Sequence, residues 1–439
     1  MRYVRYPGIE LTIAVAFFCS VLLLELYLTS VGLHSSRMPY YEAYGHSLAN
    51  GHLWIQEVAT PAQCYYDLSF YKGKCYPYWG IFPALIHRTM SFLSDRAVTL
   101  VACPIGLYFL LKTLTTLAFL KRRPALERIG MPFYLFVAFG TGLPALCIAA
   151  RVYEEAIAVG YAWGFAGLYL AVPLLLDEED SRPNKWLYPL VSSLCLALAG
   201  LSRLSWLGVA VLLNLWLLIR PAISKRTFMW RNTWPSLIPV ILACALQLFL
   251  NFQRFDDPFD FGAAKATYYA EVIASGKRAV ALDYVGVNAI YYLIAGMPPS
   301  QNPLRNDASN LTYPWISELF PTVNREFALG LFVLMPSLLL GFFPLLKWKK
   351  EGKLKLLAPA VLTLPLALVP LSVAGQVHRY QLEIYVPLLL LLIPPLLEQT
   401  EKLQKLVTLH WLSFLVPMPL TLVNSLWIVK TVCDTWRQC

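Results

Sequence analysis

Two carboxylates set in tyrosine- and glycine-rich stretches are the side chains of this 439-residue chain best suited to chemistry: Glu42 in YYEAYGHSLANGHLW and Asp67 in YYDLSFYKGKCYPYWGIFPAL. A carboxylate within hydrogen-bond reach of a hydroxyl can take its proton and act as a general base. Asp67 leads into Tyr71, Gly73, Lys74, Tyr76, Trp79, Gly80 and Pro83. Aromatic faces suited to sugar rings and an ammonium suited to phosphate therefore follow closely in the chain. Glu42 and Asp67 stand as alternatives for the same role.

Further charges fall near the ends of apolar stretches, where each needs a reason. Arg151, Glu154 and Glu155 in ARVYEEAI are spaced so that their charges meet on one helix. They form either an ion pair capping a turn or a carboxylate that orients an acceptor. Arg203 in GLSRLSW, and His378, Arg379 and Tyr380 in GQVHRYQLEIYVP, belong to the same group. A guanidinium grips phosphate oxygens bidentately, so Arg379, Arg203 and Lys74 are the expected phosphate contacts. Tyr71, Tyr76, Trp79, Arg151, Glu154, Glu155, His378 and Tyr380 are the expected substrate contacts. Glu25 either lies near a membrane rim or pairs with a basic neighbour. No CxxC pair or histidine cluster points to a metal, and acidic groups for a hard cation are thinly spread. No cofactor or metal is expected, with a divalent ion left open.

The elements that must hold these residues are apolar. The chain is 58% hydrophobic and 14% charged, a composition no soluble domain carries on its surface. About eleven windows are long enough to cross a ~30 Å hydrocarbon core as helices. They lie near residues 9–31, 97–120, 130–150, 155–176, 186–202, 204–220, 234–251, 327–346, 356–375, 380–397 and 406–429. The fifth and sixth are short enough to be one broken pair. The expected fold is an all-α polytopic membrane protein, a single transmembrane domain over residues 1–439. Two segments are too long for mere connectors, 32–96 with the candidate site and 252–326. Within the first, EAYGHSLANGHLW and YWGIFPALIHRTMSFL read as amphipathic helices on a membrane surface.

Basic residues set the expected orientation. With a cytoplasmic N-terminus, the inside loops carry LKRRPALER, RPAISKRTFMWR and KWKKEGKLK, while the long loops and the C-terminus fall outside. The net charge of +10 then belongs to topology and anionic lipid, and nucleic acid is not an expected partner. Glu10 and Glu25 bracket a full-length first span, which argues against a cleaved signal. Cys64 and Cys75 suit a disulfide closing the first loop in an oxidising compartment. Asn310, Leu311 and Thr312 form a sequon, meaningful only in a eukaryotic secretory setting. No repeated pair of broken helices of transporter type is present.

The segment YDLSFYKGKCYPYWGIFPAL resembles the pattern D-x-x-x-Y-x-G-K-x-Y-x-x-x-G-x-x-P-A-L. That pattern follows the first helix in C-type membrane glycosyltransferases of the protein O-mannosyltransferase and aminoarabinose transferase group. HSLANGHLW, ARVYEEAIAVGYAW, NFQRFDDPFDFG and HRYQLEIYVPLLL agree in order, so the likeness runs from about residue 40 to 397. One departure is that the Asp-Glu pair common in related enzymes here reads Tyr41, Glu42. The resemblance implies a bacterial inner or plasma membrane protein with its site on the non-cytoplasmic face. It implies transfer of a sugar from a polyprenyl-phosphate donor to a hydroxyl of a glycan, glycolipid or protein, by inverting single displacement. The competing expectations are a transporter or flippase of lipid-linked sugars and a polymerase-type assembly protein.

Overall fold

The computed structural model describes residues 8–30, 40–56, 64, 68–77, 80–119, 152–175, 186–224, 233–266, 357–373 and 380–402. It also describes parts of 134–149, 276–294 and 330–347. The first helix is α1 (Ile9–Ser30). It is followed by α2 (Tyr40–Ala49) and a two-stranded hairpin, β1 (Ser69–Tyr71) and β2 (Lys74–Tyr76). Next come α3 (Phe82–Thr89), α4 (Asp95–Phe119), α5 (Leu143–Ala149) and α6 (Val152–Leu175). The chain continues through α7 (Leu187–Ser202), α8 (Leu204–Ser224), α9 (Leu237–Phe255) and α10 (Val285–Leu293). It closes with α11 (Ala358–Leu362), α12 (Leu364–Leu371) and α13 (Gln381–Lys402).

Among the described residues four helices are long and apolar enough to cross a membrane: Ile9–Tyr27, Asp95–Leu117, Glu154–Leu175 and Trp234–Phe255. Shorter apolar helices occupy Leu187–Ser202, Leu204–Ile219, Ala358–Leu371 and Gln381–Pro395. The protein is thus a largely helical chain of membrane character. Among the described residues the expected windows at 130–150 and 327–346 show short helical pieces, and 406–429 lies outside those residues. Leu11, Val15, Leu23 and Leu26 on α1, and Ile238, Ile241, Leu242 and Phe249 on α9, point outward. Apolar faces of that extent suit lipid rather than water.

The core is α4, α6 and α7 packed side by side, and small residues permit it. Gly164 lies under the indole of Trp206, where an added Cβ would come within 2.4 Å of the ring. Gly160 approaches the same ring, so the G-x-x-x-G face of α6 seats Trp206 from the first turn of α8. Hydroxyls within these helices bond carbonyls one turn back, as Thr99 does to Asp95 and Thr113 to Phe109, so they need no other partner.

α7 and α8 form a tight hairpin about one extended residue, Arg203 (φ −146°, ψ 115°). Asn214 of α8 donates to Ser193 of α7 at 2.7 Å, and Ser236 donates to Asn214 at 2.8 Å, which fixes the antiparallel pairing near the start of α9. The short fifth and sixth windows are therefore a broken pair. The β hairpin amends the all-α expectation. Its register pairs Ser69 with Tyr76, Phe70 with Cys75 and Tyr71 with Lys74. Lys72 and Gly73 at its tip both have positive φ, 48° and 75°, as a two-residue turn matched to strand twist requires.

Candidate functional site

One end of the helices collects charge. α2 begins there, and the main-chain N–H groups of Tyr41 and Glu42 donate to the Asp95 carboxylate at 3.2 and 2.9 Å. The first amides of a helix have no partner within it, so a carboxylate from the start of α4 caps α2 from a distance in sequence. His87, in the last turn of α3, is fully buried against the same carboxylate. Its Nε2 lies 3.2 Å from Asp95 Oδ1 and 2.9 Å from Glu155 Oε1. Its Nδ1 lies 3.1 Å from the Leu93 carbonyl. A carbonyl only accepts, so Nδ1 carries a hydrogen and Nε2 faces the two acids. Burial alone would lower the His87 pKa, but the hydrogen bond to Glu155 and the charges of Glu155 and Asp95 outweigh it and raise it. Gly45 of α2 makes room for this, since a Cβ there would meet His87 Cβ at 2.7 Å.

Beside this cluster stands Arg254, from the last turn of α9. It is 2% exposed, donates from Nη2 to the Tyr44 hydroxyl at 2.7 Å, and leaves Nε without a hydrogen-bond partner among the described residues. No described carboxylate forms an ion pair with it. Arg203 is held differently. Its Nε and Nη2 donate to both oxygens of Glu383 at 2.7 and 3.0 Å, and its guanidinium lies over the Tyr380 ring, 4.7 Å from the centroid.

The hairpin joins the two long segments. Ser69 donates to the Gly262 carbonyl at 2.7 Å and makes a β-bridge with Ala266. The Tyr71 hydroxyl donates to Asp256 at 2.7 Å, and Lys72 pairs with the same carboxylate at 2.6 Å. Those bonds hold the Asp256 pKa below the usual carboxylate range and raise those of Tyr71 and Lys72. Tyr76 is buried edge-on against Phe255, 5.6 Å between centroids. The Cys64–Cys75 disulfide is formed and ties β2 to the preceding loop. Gly80 then presses on the end of α7, where a Cβ would fall 1.9 Å from the Leu201 carbonyl oxygen.

Against the sequence expectations, Glu42 is half-buried at the start of α2, and its own amide is capped by Asp95. Lys74 sits over Trp54, 3.5 Å from the ring centroid, and Arg203 is bound to Glu383. Glu154 and Glu155 are both buried, and Glu155 pairs with His87. Glu25 pairs with Arg96 at 2.7 Å. Tyr71, Tyr76 and Tyr380 are engaged as above. Asp67, Trp79, Arg151, His378 and Arg379 lie outside the described residues. Sequence reading missed His87, Asp95, Tyr44, Arg254 and Glu383. Arg254 lies in the NFQRFDDPFDFG motif and His87 in the amphipathic stretch YWGIFPALIHRTMSFL, whereas Asp95 belongs to neither. His87, Asp95 and Glu155 each offer one ligand atom, and these atoms lie within 4.8 Å of one another. That is the one such grouping found among the described residues.

No family model matches the chain, and neither the curated proteins nor the solved structures contain a match.

Proposed function

We propose that this chain is a membrane glycosyltransferase that moves a sugar from a polyprenyl-phosphate donor to an acceptor hydroxyl. The observation that carries the reading is convergence. Stretches that resemble C-type transferase segments, and residues beside them in the chain, gather at one end of the helices although they are widely separated in sequence. Tyr41 and Glu42 meet Asp95, and Tyr44 meets Arg254. Ser69 meets Gly262, His87 meets Glu155, and Arg203 meets Tyr380 and Glu383. A chain that only spanned the membrane would have no need to gather these charged and aromatic segments in one place.

In this reading Glu42 or Asp67 takes the acceptor proton as the acceptor oxygen bonds to the anomeric carbon. The bond from that carbon to the phosphate oxygen breaks on the opposite face, and its electron pair leaves with polyprenyl phosphate. The leaving group needs charge stabilisation more than a proton, and Arg254 and Arg379 are the cations proposed for it. Arg254 supports that role because its Nε is unsatisfied. Arg203 is instead a positioning residue. The disulfide suits a site on the oxidising side of a bacterial plasma membrane, with about eleven spans and a cytoplasmic N-terminus.

The test supplies detergent-purified protein with a panel of short-chain polyprenyl-phosphate sugars and measures release of free polyprenyl phosphate with and without acceptors. Release that Asp67→Asn or Glu42→Gln abolishes while donor binding persists supports the transferase and names the base. Absence of release by folded, donor-binding protein overturns it in favour of transport or assembly of lipid-linked sugars.

A further inference from the structure

We infer that His87, Asp95 and Glu155 bind one divalent transition-metal cation of the zinc type, which clasps α3 to the N-termini of α4 and α6. The inference is independent of glycosyl transfer and departs from the sequence expectation of no metal.

Three observations carry it. First, the imidazole is oriented as a metal ligand. Nδ1–H is committed to the Leu93 carbonyl, so once Nε2 gives up its proton its lone pair points toward Asp95 and Glu155. Main-chain carbonyls hold zinc-binding histidines in this way. Second, Glu155 Oε2 is buried with no hydrogen-bond partner among the described residues, so half of a fully buried carboxylate is unsatisfied. An unanswered carboxylate oxygen in a dry interior is costly, and a cation is its direct remedy. Third, charge balances. Two carboxylates and a neutral imidazole carry two negative charges, and a divalent cation cancels them without a buried excess.

The geometry needs little change. Tetrahedral zinc at about 2.1 Å from each ligand sets ligand atoms roughly 3.4 Å apart. The present separations from Nε2 are 2.9 and 3.2 Å. Opening these two by a few tenths of an ångström, with all three ligand atoms within 4.8 Å of one another, makes room for the ion. One imidazole and two carboxylates suit zinc better than calcium or magnesium, which prefer all-oxygen shells. Asp95 is kept from turning away by the Tyr41 and Glu42 amides, so the ion also steadies the start of α2.

The test uses the full chain in detergent, stripped with EDTA, desalted, and titrated with Zn2+ or Co2+. Metal content, Co2+ visible absorption and thermal midpoint are read together. The expected result is about one ion per chain, a higher midpoint with Zn2+, and at least roughly a hundredfold weaker binding in Glu155→Gln and His87→Asn, as loss of a direct ligand should exceed the 10–100-fold of outer-shell partners. Folded wild type that takes up no stoichiometric metal overturns the proposal and leaves a proton-shared triad. Equal binding by the variants also overturns it. Should the variants not fold, X-ray absorption of the wild-type zinc complex decides. One imidazole with oxygen ligands supports the site, and a thiolate shell, pointing to the buried Cys103 and Cys147, overturns it.

Discussion

Arg203, with little of its side chain exposed, and Arg254, fully buried, are cations at the same end of the helices, yet they are answered in opposite ways. Arg203, in the break between α7 and α8, has its fork filled by both oxygens of Glu383 and its face covered by Tyr380. Arg254, at the end of α9, has one tyrosine hydroxyl and no carboxylate among the described residues. Charge neutralised inside the protein holds helices in register, and charge left over is available to a ligand. A buried arginine lacking its acid is costly by itself, so its retention needs an anion to offset it. Within the proposed function the difference gives positioning to the first and phosphate to the second, whereas the sequence expectation made Arg203 a phosphate contact.

The largest effect should come from breaking the answered pair. Glu383→Gln leaves the Arg203 guanidinium buried beside a neutral amide. Loss of one partner of a buried pair costs roughly 3–5 kcal/mol, so most folded protein should be lost, read as thermal midpoint and monodisperse yield. The double change Arg203→Met with Glu383→Leu should recover much of that loss. If Glu383→Gln is as stable as wild type, the pair is not what holds α13 against the α7–α8 break.

Gly80→Ala comes next. It abuts the end of α7, just before Arg203 in the chain, with no room for a Cβ against Leu201. Overpacking of that kind costs about 1–3 kcal/mol, and the segment joining hairpin to α3 must shift. The thermal midpoint should fall, and donor affinity should fall with it, since the shift displaces the end of α7 that carries Arg203.

Arg254→Met breaks the comparison from its other side. Removing a cation that lacks an acid should leave stability unchanged or raised, while affinity for a polyprenyl-phosphate sugar falls at least about tenfold, near 1.4 kcal/mol. Isothermal titration and thermal midpoint on one preparation separate the two. A midpoint that drops as far as in Glu383→Gln would make Arg254 structural after all.

What the sequence made legible follows from physical range. α1, α4, α6 and α9 announce themselves because crossing lipid demands unbroken apolar length, and the break at Arg203 showed as two short windows. Windows at 130–150 and 327–346 read as spans by composition, yet form only short pieces among the described residues. The hairpin hid in an aromatic run, although Lys72-Gly73 was its turn signal. Partners far apart in the chain were not legible at all. For Glu155 the sequence offers an ion pair on its own helix or a carboxylate that orients an acceptor, because i, i+4 spacing is visible and His87, 68 residues away, is not.

The smallest effect sharpens the edge of the Arg254 region, where Asp256 takes Tyr71 and Lys72 on the exposed tip of the hairpin. Asp256 has its pKa lowered in the fold, first by the hydrogen bond from Lys72 and then by that from Tyr71. Its contribution is therefore full above the unfolded carboxylate value, roughly pH 4, and is lost as pH falls through the depressed folded value. Lys72 is raised, first by the same hydrogen bond. Its share is full below the unfolded lysine value, roughly pH 10, and is lost as pH rises through the folded one. Between those limits the clasp adds no pH dependence. Asp256→Asn should lower the midpoint slightly and evenly across the neutral range, converging with wild type only in strong acid, because exposed pairs are screened by water. A variant whose deficit instead grew between pH 5 and 8 would place the titrating group elsewhere, with His87, whose pKa lies above its ordinary value, the first to examine.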